Sequence, residues 1–305
     1  MKKTLSVAAL ALALTGSAFA ADLPHYKAPP PPPPPPPPLW TGFYVGLNAG
    51  GVFGGNNSVR IGTASAGIFS PPLGAVGVLH AQDFALASNA WLPTGSNGGF
   101  IGGGQIGYNW QFYNSFLAGI EADIQGLTSN SSTSSAVTAI SLAGEVPVGA
   151  ILTASKRLDY IGTVRGRLGW LFTPTLLAYA TGGLAYGGVT SGVGLLATEL
   201  QPPAAGNLGP VFSNGAFSDT RVGWTVGGGL EWLFWPHWSA KVEYLYYELG
   251  RVSYPIAPTV GTIIGTGAIG FVNISQATTH FNGNIVRAGV NYHFNWGAPP
   301  VVAKY

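Results

Sequence analysis

The chain has no cysteine, so neither a disulfide framework nor a thiolate metal site can hold it together. Charge is scarce: Asp, Glu, Lys and Arg make up 8% of the 305 residues, against about 25% in an ordinary soluble domain. A soluble globule of this size needs a more charged surface. A disordered chain would have far fewer apolar residues than the 47% found here, with a mean hydropathy of +0.29. A long apolar helix is missing too. Residues 168–198 contain no charge, but Pro174 and the pairs Gly182, Gly183 and Gly187, Gly188 interrupt them. Proline and clustered glycine oppose a single helix there.

The N-terminus reads as a secretory signal over residues 1–20. Lys2 and Lys3 form a basic start, residues 4–15 an apolar run, and Ala18, Phe19 and Ala20 a small-residue cleavage site. The apolar run is too short for a transmembrane anchor. Without Lys2 and Lys3, the 13 Lys and Arg fall to 11, equal to the 11 Asp and Glu. The neutral balance gives no reason to expect a nucleic-acid partner. Residues 21–39 carry an unbroken proline run, Pro29 to Pro38. It forms a polyproline II rod of about 31 Å and reads as a solvated periplasmic tether.

Abundance lies in glycine, 46 residues, and in alternation with a period of two. In residues 160–170, Tyr160, Val164, Leu168 and Trp170 alternate with Thr163, Arg165 and Arg167. Apolar on one face and polar on the other, over about ten residues, is the pattern of a transmembrane β-strand. Eight such segments follow: about 41–53, 99–112, 116–128, 157–172, 176–189, 220–234, 239–251 and 279–294. They predict an all-β fold, an eight-stranded antiparallel up-and-down transmembrane barrel over residues 40–294. Residues 295–305 then form a C-terminal periplasmic tail. Short turns at 113–115, 173–175 and 235–237 alternate with long segments at 54–98, 129–156, 190–219 and 252–278, expected as extracellular loops. All 13 prolines beyond the tether fall in these loops and turns or in the tail. Trp110, Phe112, Phe116, Trp170, Phe172, Phe234, Trp238, Tyr292 and Phe294 gather near the short turns, as an aromatic girdle at the membrane interface.

Inward positions carry Glu121, Asp123, Glu231 and Glu243 with Arg165, Arg167, Arg221, Lys241 and Arg287. An eight-stranded barrel is just wide enough to be filled by side chains. These nine residues therefore read as an ion-pair network that plugs the lumen, with a charged gate of a narrow pore as the alternative. No metal-ligand spacing occurs, and Gly102, Gly103 and Gly104 lie within a strand rather than opening a helix. His80 and Asp83 lie three apart and read as a solvated loop pair. The chain is read as a non-enzyme with no cofactor and no metal.

The segment 40–51, Trp-Thr-Gly-Phe-Tyr-Val-Gly-Leu-Asn-Ala-Gly-Gly, resembles the first strand of the small alphaproteobacterial outer-membrane barrels. These are surface antigens and hemin-binding proteins of the porin family. Residues 160–169, 180–187, 242–250 and 287–294 resemble later strands of that family. The resemblance implies a Gram-negative outer-membrane location with both termini periplasmic, outer-membrane lipid as surroundings and the barrel-assembly machinery as a partner during biogenesis. It further implies that Phe294 marks the chain for insertion, either internally or with a contribution from Tyr305. A structural or surface-exposed role is expected. A narrow diffusion channel is the alternative, as is capture of hemin or a host surface by the outer loops, where His80 and His280 are the loop-side histidines.

Overall fold

The computed structural model describes residues 39–294 apart from 56–57, 69–73, 95–97, 130–131, 143–145 and 203–205. The signal segment 1–20, the tether up to Pro38 and the tail 295–305 with Tyr305 lie outside the described residues. In chain order the elements are β1 (Gly42–Phe53), β2 (Ser58–Ile68), α1 (Gly74–Ala87), β3 (Ala90–Pro93), β4 (Gly99–Phe112), β5 (Phe116–Ser129) and β6 (Ser132–Ile140). There follow β7 (Val148–Thr173), β8 (Leu176–Glu199), β9 (Val211–Trp235), β10 (Trp238–Thr262) and β11 (Ile269–Phe294).

Eight of these strands close a ring in the order β1, β4, β5, β7, β8, β9, β10, β11. The ring closes through antiparallel pairing of β11 with β1, from Phe43↔Phe294 to Phe53↔Asn284. Closure leaves no strand edge in the wall, which is what a sheet surrounded by hydrocarbon requires. The period of two decides which face is which. Leu47, Leu168 and Val222 are exposed on the outside, whereas Tyr44, Glu121 and Arg165 are buried within. Inward glycine makes room for the larger rings. A Cβ on Gly107 would sit 2.4 Å from the Tyr44 ring, and one on Gly229 would sit 2.8 Å from the Tyr179 hydroxyl.

The eight alternating segments all lie within ring strands, but the strands run further than the alternation suggested. From β7 to β11 they are 24 to 26 residues long, more than twice the ~9–11 needed to cross a bilayer. The segments 129–156, 190–219 and 252–278 are therefore largely strand rather than loop. β2 continues along β11 where β1 stops, and β6 continues along β7 where β5 stops. The expected loop 54–98 holds β2, β3 and α1. Gly, Ser, Thr and Ala dominate these extensions, so the amplitude of the alternation fades while the hydrogen-bonded ladder goes on.

Two bulges also hide the continuation. A register shift at Asp159 turns the buried positions of β7 from Leu152, Ala154 and Leu158 to Ile161, Thr163 and Arg165. A second shift, at Leu249 and Gly250, does the same in β10. Gly250 has φ +84°, which only glycine adopts without strain. The proline expectation needs correction as well. Pro93 ends β3, and Pro255 and Pro258 lie within β10. Past Glu248, β10 no longer pairs with β9, and Pro258 sits in a register shift. A proline on a free strand edge or in a bulge need not break the ladder.

Candidate functional site

The barrel interior is stacked in three layers. At the short-turn end the lumen is apolar. Trp40 is fully buried, and Leu117, Leu171, Leu177 and Leu233 pack around it. Its indole Nε1 donates to the Pro174 carbonyl at 2.9 Å. The middle layer is ionic. Beyond it, toward the long-hairpin end, Ile101, Ile161, Leu245 and Ile285 begin a larger apolar cluster, which includes Phe84 of α1. The helix lies against the inner side of this crown, where Phe84 meets Phe271 of β11 with ring centroids 5.0 Å apart.

Register builds the ionic layer. Pairing of β5 with β7 sets Glu121 opposite Arg165, and pairing of β10 with β11 sets Glu243 opposite Arg287. Arg165 Nη2 lies 2.5 Å from Glu121 and 2.8 Å from Asp123, and its Nη1 lies 2.8 Å from Glu243. Arg287 Nη2 lies 2.8 Å from Asp123 and 2.5 Å from Glu243. Arg167 Nη2 lies 2.6 Å from Glu231, and Lys241 Nζ is 2.9 Å from both Glu121 oxygens. Four cations thus meet four carboxylates, and none of the eight side chains has exposed surface. Such charges are tolerated in a dry interior only when each is paired and hydrogen-bonded.

Arg221 is not among them. It is half-buried on β9, opposite Gly187 of β8. It lies beyond Trp224, where pairing of β9 with β10 ends, so it stands above the ionic layer. Its Nε has no hydrogen-bond partner among the described residues.

Other members were visible in the sequence only as inward-facing residues. The Tyr44 hydroxyl donates to Glu121 at 2.7 Å and accepts from Arg167 at 2.6 Å. Tyr179 donates to Glu243 at 3.1 Å, and its ring lies 4.0 Å beneath the Arg167 guanidinium. Asn291 donates to Glu231 at 2.7 Å, and His293 Nε2 lies 3.5 Å from the same carboxylate. Nothing in the sequence pointed to Trp40 as a floor beyond its place just after the proline run. His80 and Asp83 are not a solvated pair. Both are buried on α1, with His80 Nε2 3.6 Å from Glu199 and Asp83 accepting from the Leu142 amide at 3.2 Å.

On the outside, Trp110, Phe112, Phe116, Trp170, Phe172, Phe234, Trp238, Tyr292 and Phe294 surround the short-turn end. Many of their rings touch, as in Phe112 with Phe116, Trp170 with Phe172 and Trp238 with Tyr292. A second aromatic set marks the far limit of the apolar band. Trp224 and Tyr246 lie 5.4 Å apart, Tyr160 bonds Thr220 at 2.7 Å, and Tyr244 donates to Asn284 at 2.6 Å.

A ring without an edge, apolar outside and polar within, is a transmembrane β-barrel. The chain belongs to the family of the outer membrane protein beta-barrel domain, which matches residues 6–294. It is similar to the 31 kDa outer-membrane immunogenic protein of Brucella melitensis, 33% identical over 96% of this chain and 100% of that protein. The protein of the same name in Brucella suis gives the same identity and coverage. Among solved structures, the outer membrane protein OprG from Pseudomonas aeruginosa is 8% identical, with a TM-score of 0.34, covering 83% of this chain and 97% of that one.

Proposed function

We propose that this protein is a sealed outer-membrane barrel whose role is structural and surface-exposed, carried by the crown of long hairpins. The observation behind this reading is the filled lumen: an apolar floor at Trp40, a neutralised ionic layer, and an apolar crown closed by α1. An eight-stranded cylinder has no width to spare once such side chains occupy it. In this reading residues 1–20 are removed on export, 21–39 tether the barrel, and both termini are periplasmic. Support comes from the start of β1 and the end of β11, which pair at Phe43↔Phe294 beside the short turns. The same reading makes the long hairpins extracellular, and it uses Phe294, on the lipid-facing side of the last strand, as the signal for the assembly machinery.

Hemin capture and catalysis draw less support. The His80 ring is buried beside Glu199, and His280 is held by Glu248 at 2.5 Å. The resemblance to an immunogenic outer-membrane protein favours a surface role for this chain. The refolded barrel in planar bilayers is expected to give a silent membrane under applied voltage. Stable unitary conductance steps would overturn the sealed reading.

A further inference from the structure

We propose that the outer wall of the crown carries a binding site for the phosphate-bearing headgroup of an outer-leaflet glycolipid, formed by Arg60, Arg251 and Trp91, with His280, held by Glu248, also lining the groove. This rests on the orientation given above, in which the long hairpins are extracellular.

The four residues line one groove of about 570 Å³, together with Ser253 and Thr278. Register explains why they meet. Ser253 of β10 faces Thr278 of β11, Thr278 faces Arg60 of β2, and Arg60 faces Trp91 of β3. Arg251 stands two residues from Ser253 on the same face, opposite His280. The neighbours Val59, Ile61, Leu92, Val252 and Phe281 point the other way, into the crown core. The groove residues therefore face outward, toward whatever surrounds the barrel.

Charge singles the groove out. The described residues hold nine Lys and Arg. Four of them belong to the ionic layer, Lys156 donates to the His280 carbonyl, Arg157 pairs with Asp159, and Arg221 is half-buried on β9 and does not line the groove. Arg60 and Arg251 are exposed, and neither has an ion pair or hydrogen bond among the described residues. On a chain with so little charge, two such arginines in one groove mark an anion site. The planar guanidinium fork matches phosphate oxygens well.

Height selects the source of the anion. The outward residues of β11 run Val290, Ala288 and Val286, then Asn284, Asn282, His280 and Thr278. The change from apolar to polar falls beside the upper aromatic set. His280 stands four residues past Asn284, roughly 10 Å along the membrane normal for a tilted strand. That is headgroup depth. Trp91, 72% exposed, is the amphipathic ring expected at such a boundary.

The test uses the full mature chain, refolded in detergent micelles and titrated with bisphosphorylated lipid A or with the same lipid dephosphorylated, read by native mass spectrometry. Wild type is expected to prefer the phosphorylated lipid by about tenfold, as charge-assisted contacts allow. The R60Q/R251Q double variant is expected to lose that preference, and R157Q to keep it. Heat-modifiable gel mobility checks that each variant is folded. Equal binding of both lipids by wild type, or preference surviving in R60Q/R251Q, overturns the site. Complete competition by equimolar inorganic phosphate also overturns it, since the groove would then take free anions. The orientation is read separately. Because the chain lacks cysteine, Ala268→Cys, exposed at the tip of the β10–β11 hairpin and outside the groove, can be labelled on intact cells with a membrane-impermeant maleimide. Lipid preference without labelling refutes the outer-leaflet assignment and leaves the phosphate chemistry standing; labelling without preference does the reverse.

Discussion

Arg165 reaches three carboxylates at once, those of Glu121, Asp123 and Glu243. Removing its guanidinium leaves buried negative charge short of a partner, and the cost of breaking a buried pair is about 3–5 kcal/mol. Arg165→Met is therefore expected to lower the urea midpoint of the refolded barrel by that equivalent. Arg157→Met removes an ion pair that is exposed to solvent and should cost under about 1 kcal/mol. Similar losses in the two variants would deny the ionic layer its energetic weight. Lys156 offers a second residue-scale test, beyond the bulge at Asp159 and outside the membrane-spanning part of β7. Burial holds its amine down to about 8 from an ordinary 10.5, partly countered by the Glu248 carboxylate. The amine also donates to the His280 carbonyl and lies over the Phe281 ring. Between about pH 8 and 10.5 the unfolded chain binds this proton and the folded chain does not. Stability should then rise with pH across that window, with the full penalty present below it. Lys156→Met should flatten the rise in midpoint measured from pH 8 to 10.5; an unchanged slope would assign it to another group.

At the scale of elements, the period of two made the membrane-crossing half of each strand legible, because lipid demands large apolar side chains at every second position. Phe43, Val45 and Leu47 against Tyr44 and Asn48 are a clear instance. The crown was illegible for three physical reasons. Its outward residues, such as Ser253, Thr278 and Arg60, are polar and lie beyond the apolar band, so the contrast between faces shrinks. The bulges at Asp159 and Gly250 reverse the parity midway. Helix α1 presents no apolar stripe with polar residues opposite, since it is enclosed by sheet on several sides. The lumen was more legible: eight of the nine charged residues predicted to pair lie in one layer. Arg221 departs from them because inward parity alone carries no information about height along the axis. Gly250→Val tests the bulge. A β-branched side chain at φ +84° is strained by about 1–3 kcal/mol. The urea midpoint should fall accordingly, whereas Gly62→Val, with open space at its Cβ, should leave it within about 0.5 kcal/mol. Equal effects would mean that β10 can shed its bulge.

For the whole molecule, the sealed reading proposed above makes the three interior layers seals in series along one axis. A path for ions exists only if every layer opens, so a single breach should be silent. Excision of α1, replacing 74–87 with a short Gly-Ser linker, removes the helix from the crown but leaves the ionic layer and the Trp40 floor intact. It is expected to give no conductance in planar bilayers, as for wild type. Truncating Glu121, Arg165, Glu243 and Arg287 together to Ala keeps the charge balance and hollows the middle layer, yet the crown and floor remain closed. Combining both changes with Trp40→Ala opens all three layers, and only that combination should pass ions in steps of a fixed size. Channels in the α1 deletion alone would show that the ionic layer does not seal, contradicting the structural role. Silence in the combined variant, with folding verified by its gel mobility, would place the closure in the cylinder's narrow bore itself, independent of these side chains.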